Sequence, residues 1–206
     1  MTTETLKIDS GLHRIQAATQ SILFVCTGNV CRSPYMELYF RHLVSAMNIP
    51  DLSVSSAGTH HLPDHPIADP MARILQSDGI STDGFRSQAL TSAMVEESTL
   101  IITAEVAHRA SVLRLFPRAH AKVFTLMQSS RLIQFAATTP VPAVNAPPLE
   151  KVVEIMAAGR GLAGPTNKMK DSIPDPWKCQ DAIYRGTALK MKAPLEKLAL
   201  ELSNRY

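Results

Sequence analysis

The sequence predicts an α/β protein of three layers around a central parallel sheet of four strands. The first sign is a continuous apolar run of strand length, SILFV at residues 21–25, followed within ten residues by a helical pattern. A run with no polar face suits a strand covered on both sides, the usual state of a parallel sheet. The second sign is that apolar strands and helical stretches keep alternating as far as residue 126. Strands separated by helices imply βαβ crossovers, and these place helices on both faces of the sheet.

The elements follow in order. Residues 1–20, MTTETLKIDSGLHRIQAATQ, mix charge and polarity without an apolar signal core and read as an N-terminal extension to a domain spanning 21–206. From Pro34, Met36, Phe40, Leu43 and Met47 recur at three- and four-residue steps, the period of a half-buried helix. Ser33-Pro34 is a good helix opening, because a proline in the first turn gives up a donor that has no partner there. LSVSSAG (52–58) is a second strand, and DPMARILQSDG (69–79) a helix ended by Gly79. STLIITA (98–104) is a third strand. EVAHRASVLRLF (105–116) is a helix stopped by Pro117, with Leu113 and Leu115 assigned to the core, and AKVFTL (121–126) is a fourth strand. At about 138–170 five prolines surround one amphipathic stretch, LEKVVEIMAAG (149–159), which reads as an insertion with its own helix. The chain is helical again from Gln180, and Pro194 is expected to kink or divide that helix.

Composition removes several function classes. At 206 residues and 45% hydrophobic, the chain suits one globular domain with a substantial core. Lys and Arg total 21 against 18 Asp and Glu, and they are scattered, so nucleic acid is not an expected partner. No stretch approaches the ~18 apolar residues of a membrane span. The three cysteines are too few and too odd in number for a disulfide framework, and the protein reads as cytoplasmic. There a close cysteine pair points to catalysis, redox chemistry or metal.

That pair lies in VCTGNVCRSP, residues 25–34. A buried strand, a short loop and a helix N-terminus together make an anion site, because backbone N–H groups converge there and the helix dipole adds positive potential. Gly28 eases the loop sterically and Asn29 tolerates a left-handed backbone, so GNVCR is suited to curl its amides inward as a phosphate-sized nest. Cys26 stands at the strand's C-terminal end, where open α/β sheets bind ligands. A thiol near a helix N-terminus and an arginine is expected to react as the thiolate. Arg32 can fork two hydrogen bonds onto phosphate oxygens, and Ser33 can donate toward the thiolate. Attack by that sulfur on phosphorus gives a thiophosphate, and the departing oxygen then needs a carboxylic acid as proton donor.

ILFVCTGNVCRSP resembles the signature loop of the low-molecular-weight protein tyrosine phosphatases, Cys-x-Gly-Asn-x-Cys-Arg-Ser-Pro, at every fixed position. The resemblance, over roughly 21–135 and 171–203, implies a flavodoxin-like phosphatase fold, Cys26 as nucleophile, Arg32 as phosphate binder, and Asn29 and Ser33 as supports. IPDPW (173–177) looks like the family's acid motif, with Asp175 as general acid and Trp177 walling the crevice where tyrosine is usual. The implied substrate-binding set is Thr27, Gly28, Asn29, Val30, Cys31, Ser33 and Trp177, and SSAGT (55–59) places Ser56 as a brace for Asn29. No cofactor and no metal are implied. His60, His61, Asp64 and His65 in THHLPDHP could be taken for a metal site, but the loop is turn-rich and the family chemistry needs no metal, so His60 and His61 are read as shaping substrate access. The expected partner is a tyrosine-phosphorylated protein, a bacterial tyrosine kinase being one candidate.

Departures from the family pattern are visible too. The family is usually shorter, and many members have Met-Asp where this chain has Thr103-Ala104, which removes a supporting carboxylate. Phe85 and Gln88 replace a frequent histidine and arginine. Cys31 is either a packing residue or a redox partner of Cys26, and Cys179 either a bystander or a further redox group. Arsenate reductase shares the fold, but its relay needs one more cysteine after Cys31 than Cys179 supplies. The phosphoarginine branch carries threonine in place of Val30. A catalytically retired phosphate-binding module is the remaining alternative, opposed by the intact Cys26, Arg32 and Asp175.

Overall fold

Four strands, Gln20–Cys26 (β1), Leu52–Gly58 (β2), Leu100–Thr103 (β3) and Val123–Thr125 (β4), pair in parallel in the order β2-β1-β3-β4. The computed structural model describes residues 20–139, 145–165 and 167–206, so the expected extension before Gln20 and the stretch 140–144 lie outside the described residues. Helices Arg32–Ala46 (α1), Asp69–Ser77 (α2), Ser92–Glu97 (α3), Val106–Leu115 (α4), Leu126–Ala136 (α5), Pro148–Gly159 (α6) and Asp181–Ser203 (α7) complete the layers. The expected flavodoxin-like arrangement of a four-stranded parallel sheet between helices is what the chain adopts.

Alternation along β1 explains the two outer layers. Ile22 and Phe24 face the larger apolar cluster, built with α1, α2, α5, α6 and α7, while Leu23 and Val25 face a smaller one that includes Val95 of α3 and Val112 of α4. All four side chains are fully buried, as a central parallel strand requires. The chain runs from β1 to β2 on one side and then crosses to β3 on the other. That reversal opens a crevice beyond the C-terminal ends of β1 and β3, and Cys26 is the last residue of β1.

Several elements differ from the sequence reading. The fourth strand is shorter than 121–126. Residues 117–121 form a 3₁₀ turn, and the Thr125 hydroxyl accepts from Gln128 N–H at 3.1 Å, capping α5 directly after the strand. Helix α5 itself was not predicted, because buried Gln128 and Ser129 dilute its apolar period. The short α3 was missed as well. On α4 the buried pair is His108 and Val112; Leu113 is half-buried and Leu115 is exposed, so the core assignment of Leu115 is corrected.

Pro194 neither divides nor ends α7, which is continuous over 23 residues. The missing donor costs the exposed turn around Lys190 one bond. Pro194 itself packs with Met191, Leu195 and Leu198 in the buried face, and that burial offsets the loss. Helix α6 buries Leu149, Val152 and Met156 in the same cluster as α5 and α7. Just beyond it, the Arg160 guanidinium lies 3.9 Å over the Phe124 ring of edge strand β4.

Candidate active site

The loop between β1 and α1 is held by its neighbours more than by itself. Its carbonyls at Cys26, Thr27, Gly28 and Val30 accept N–H bonds of 2.8–3.2 Å from Thr59, His60, Leu62 and Ala68. The N–H of a trans peptide points opposite to its carbonyl, so the amides of Thr27, Gly28, Asn29 and Cys31 are turned away from that bracing segment. Asn29 takes a left-handed backbone, φ 55°, the conformation its short amide side chain tolerates. Gly58 ends β2 against this loop, where a Cβ would lie 2.6 Å from the Thr27 carbonyl oxygen, so only glycine fits.

Behind the loop runs a buried polar chain. The Asn29 amide donates to Ser33 Oγ at 2.9 Å and to Ser56 Oγ at 2.8 Å, and Ser56 donates to Glu37 at 2.5 Å. Ser33 Oγ lies 2.9 Å from Cys26 Sγ. The Ser33 hydroxyl thus sits between the Asn29 amide, the Cys26 sulfur and the Ala57 carbonyl, 3.5 Å away, and fixes the sulfur's position behind the loop. Burial pushes the Glu37 carboxyl up, and the Ser56 hydrogen bond and Arg41, 2.7 Å away, partly oppose that. Asn29 and Ser33, expected among the substrate-binding residues, are braces fully buried behind the loop.

Arg32 is 1% exposed and is held from four directions. Nη1 pairs with the Glu105 carboxylate and donates to Ile173 O at 3.0 Å, and Nη2 reaches Asp175 Oδ2 at 2.6 Å and Thr27 Oγ1 at 3.3 Å. Its buried Nε–H has no hydrogen-bond partner among the described residues. An unpaired buried donor on a permanent cation is costly, and an anion oxygen is the group that satisfies it.

Asp175 lies on a turn closed by its own side chain, Oδ1 accepting from Trp177 N–H at 3.2 Å. Cys26, Thr27, Gly28, Val30, Cys31, Arg32, Asp175 and Trp177 line one hollow of about 180 Å³, together with His60 and Leu62. The hollow therefore has a sulfur and a guanidinium at its base, a carboxyl at its edge, and apolar walls.

A model of the low molecular weight phosphotyrosine protein phosphatase family matches residues 21–135, more than half of the chain. The chain belongs to this family. The low molecular weight protein-tyrosine-phosphatase Etp of Escherichia coli K12 is 35% identical over 113 residues, 55% of this chain and 73% of that protein. A protein-arginine-phosphatase of Geobacillus stearothermophilus is 32% identical over 107 residues, 52% of this chain and 70% of that protein. Among solved structures, the tyrosine phosphatase Wzb from Escherichia coli K30 with sulphate shares the fold at TM-score 0.63 and 24% identity, over 89% of this chain and 99% of that one.

For a low molecular weight phosphatase, the main surprise is Glu105. The sequence reading expected a lost carboxylate at Thr103-Ala104. A carboxylate nevertheless reaches Arg32, from the next residue on, where β3 gives way to α4. An acidic residue at the first position of the helix predicted over 105–116, directly after the third strand, was the available signal. His108 was also missed. Its Nε2 lies 2.8 Å from Thr27 Oγ1, the oxygen that also accepts from Arg32 Nη2. Burial, helped by Arg32, pushes His108 down to about 4, so it stays neutral beside the arginine.

The other cysteines and histidines divide by environment. Burial pushes the Cys31 thiol up to about 12, against a hydrogen bond to Tyr184 OH at 3.9 Å. Cys179 is exposed, beside the carbonyls of Asp175 and Trp177. Among the described residues no cluster of three or more His, Cys, Asp or Glu could hold a metal ion. His65 meets the Trp177 ring edge-on at 5.8 Å, bracing the aromatic wall.

Proposed function

We propose that this protein hydrolyses phosphotyrosine in proteins through a cysteinyl-phosphate. Cys26 sulfur attacks phosphorus in line with the phenolic oxygen. Arg32 and the loop amides hold the charge on the transferring group, and Asp175 gives its proton to the leaving phenolate. The resulting carboxylate then takes a proton from water as that water attacks the thiophosphate, releasing inorganic phosphate and restoring Cys26. The observation that carries this reading is the convergence of Cys26, Arg32 and Asp175 on one hollow.

The aromatic preference rests on the walls. Val30 and Leu62 supply apolar surface and Trp177 a ring, and ring stacking contributes about 0.5–1.5 kcal/mol beyond area burial. A phosphoserine side chain leaves those walls wet, and its alkoxide is the poorer leaving group. No helix among the described residues is long and apolar enough to cross a membrane. We take the substrates to be tyrosine-phosphorylated proteins of the cytoplasm, a bacterial tyrosine kinase among them. The deciding experiment is turnover of a phosphotyrosine peptide beside phosphoserine and phosphoarginine peptides and arsenate. Phosphotyrosine is expected to lead in kcat/KM, and comparable rates on phosphoserine, or a lead by phosphoarginine, would displace the tyrosine assignment.

A further inference from the structure

Asp175 is 41% exposed at its side chain, yet the chain leading to it is firmly rooted. Asp171, four residues earlier, is 2% exposed and is gripped by Arg131 of α5, whose Nη2 lies 3.1 and 3.3 Å from the two carboxylate oxygens. The Nη1 of the same guanidinium donates to Ala163 O at 2.6 Å and Gly164 O at 3.4 Å. Ala163 in turn stays attached to the end of α6 through its N–H to Gly159 O at 2.9 Å. Asn167 closes the grip from the other side. Its N–H donates to Asp171 Oδ2 at 2.7 Å and its carbonyl accepts from Asp171 N–H at 2.8 Å. Arg109 of α4 also feels the Asp171 charge.

Beyond this root the strand of chain is fastened residue by residue toward the site. Ser172 Oγ accepts from Val106 N–H at 3.3 Å and Ser172 O from Lys190 Nζ at 3.2 Å. Ile173 N–H donates to Ala104 O at 2.9 Å, and Ile173 O accepts from Arg32. The turn at Asp175 and Trp177 closes on itself through the Asp175 side chain, so its position is set by the anchors at Asp171, Ser172 and Ile173 that precede it.

We propose that Arg131 and Asp171 are positioning residues for the general acid, and that the segment carrying α6 acts through them as a splint for the acid loop. This rests on Asp175 being the acid. A planar guanidinium fork holds a carboxylate and two carbonyls in fixed relation, which a flexible ammonium does not. Removing Arg131 leaves a buried charge without its main partner, and Asp171 must move toward water to recover one. The self-closed turn then shifts with it, and a displacement of about 1 Å in a reacting group can cost up to about a hundredfold in rate.

The test uses the full chain and a series of aryl phosphates, from p-nitrophenyl phosphate to phenyl phosphate, with kcat/KM read for wild type, R131A, R131K, D171N and D175N. For R131A, kcat/KM is expected to fall roughly tenfold on phenyl phosphate and less than about twofold on p-nitrophenyl phosphate. Competitive inhibition by inorganic phosphate should stay unchanged. D171N is expected to follow R131A, with R131K between them and wild type. If R131A does not fold, R131K and D171N decide by the same slope. The inference is overturned if D175N steepens the leaving-group dependence while the Arg131 and Asp171 variants keep the wild-type slope or lose all substrates equally. A D175N slope equal to wild type would instead remove Asp175 as the acid.

Discussion

The two halves of the site are built in opposite ways. The nucleophile loop holds Cys26, Asn29, Arg32 and Ser33 within eight consecutive residues, each no more than 2% exposed. Its shape follows from one left-handed asparagine, a helix start and a tightly packed neighbour at Gly58. The acid loop presents Asp175 near the surface, and its place is set by partners on α4, α5, α7 and the tail of α6. The first half is built from contiguous, buried residues, while the second is assembled from distant pieces, one of them near the surface. Defects in the first should therefore stop the chemistry for every substrate, and defects in the second should depend on how much the leaving group needs a proton.

The largest effect expected is from Cys26→Ser, which should abolish turnover of all substrates with the fold intact, as checked by thermal melting and by retained phosphate binding. Ser33 then faces a hydroxyl that is not ionised near pH 7. Activity above a few per cent of wild type would remove Cys26 as the nucleophile and the contrast with it. Next comes Asp175→Asn, expected to lower kcat/KM on a phosphotyrosine peptide by about 10²–10⁴-fold, the usual worth of general acid catalysis. Loss on activated aryl phosphates should be much smaller, and a uniform loss would mean that the acid loop acts on binding instead.

Trp177→Ala probes the wall rather than the chemistry. Removing ring contacts worth about 1 kcal/mol should raise KM for phosphotyrosine peptides about fivefold, while inhibition by inorganic phosphate changes little. An equal rise in the phosphate inhibition constant would show that the tryptophan shapes the loop itself. The smallest effect concerns His108 and pH. Its folded value is lowered from 6.5 to about 4, so between those limits the unfolded chain binds a proton at this imidazole that the folded chain does not. Stability should therefore fall as pH falls through that window. His108→Gln should flatten this part of the profile in chemical denaturation from pH 7 to 4, and an unchanged slope would point to other groups.

Residues far apart in sequence show where reading the chain alone stopped. The alternation of strands and helices, the start of α1 and the whole nucleophile loop were legible, because each depends on contiguous residues and local sterics. Helix α5 was not, since Gln128 and Ser129 are buried by tertiary packing that a periodicity cannot anticipate. Pro194 misled for a related reason: a local rule against proline was outweighed by the burial of a long helix face.

Contiguous residues alone specify the sulfur, the guanidinium, the phosphate-sized loop and the Asp-Pro-Trp turn, whose geometry is closed within a few residues by backbone preference and short-range hydrogen bonds. Long-range packing, in contrast, pairs Glu105, and no aspartate at 104, with Arg32 across 73 positions, and brings Asp175 to the same arginine across 143. It also decided that Arg131 joins the tail of α6 to the root of the acid loop. Those contacts depend on the strand order β2-β1-β3-β4, which brings the ends of β1 and β3 side by side and leaves the following chain to fold back over them. No local propensity encodes which distant carboxylate will fill the space beside a buried cation; the packing of the sheet and its helices selects the one that reaches.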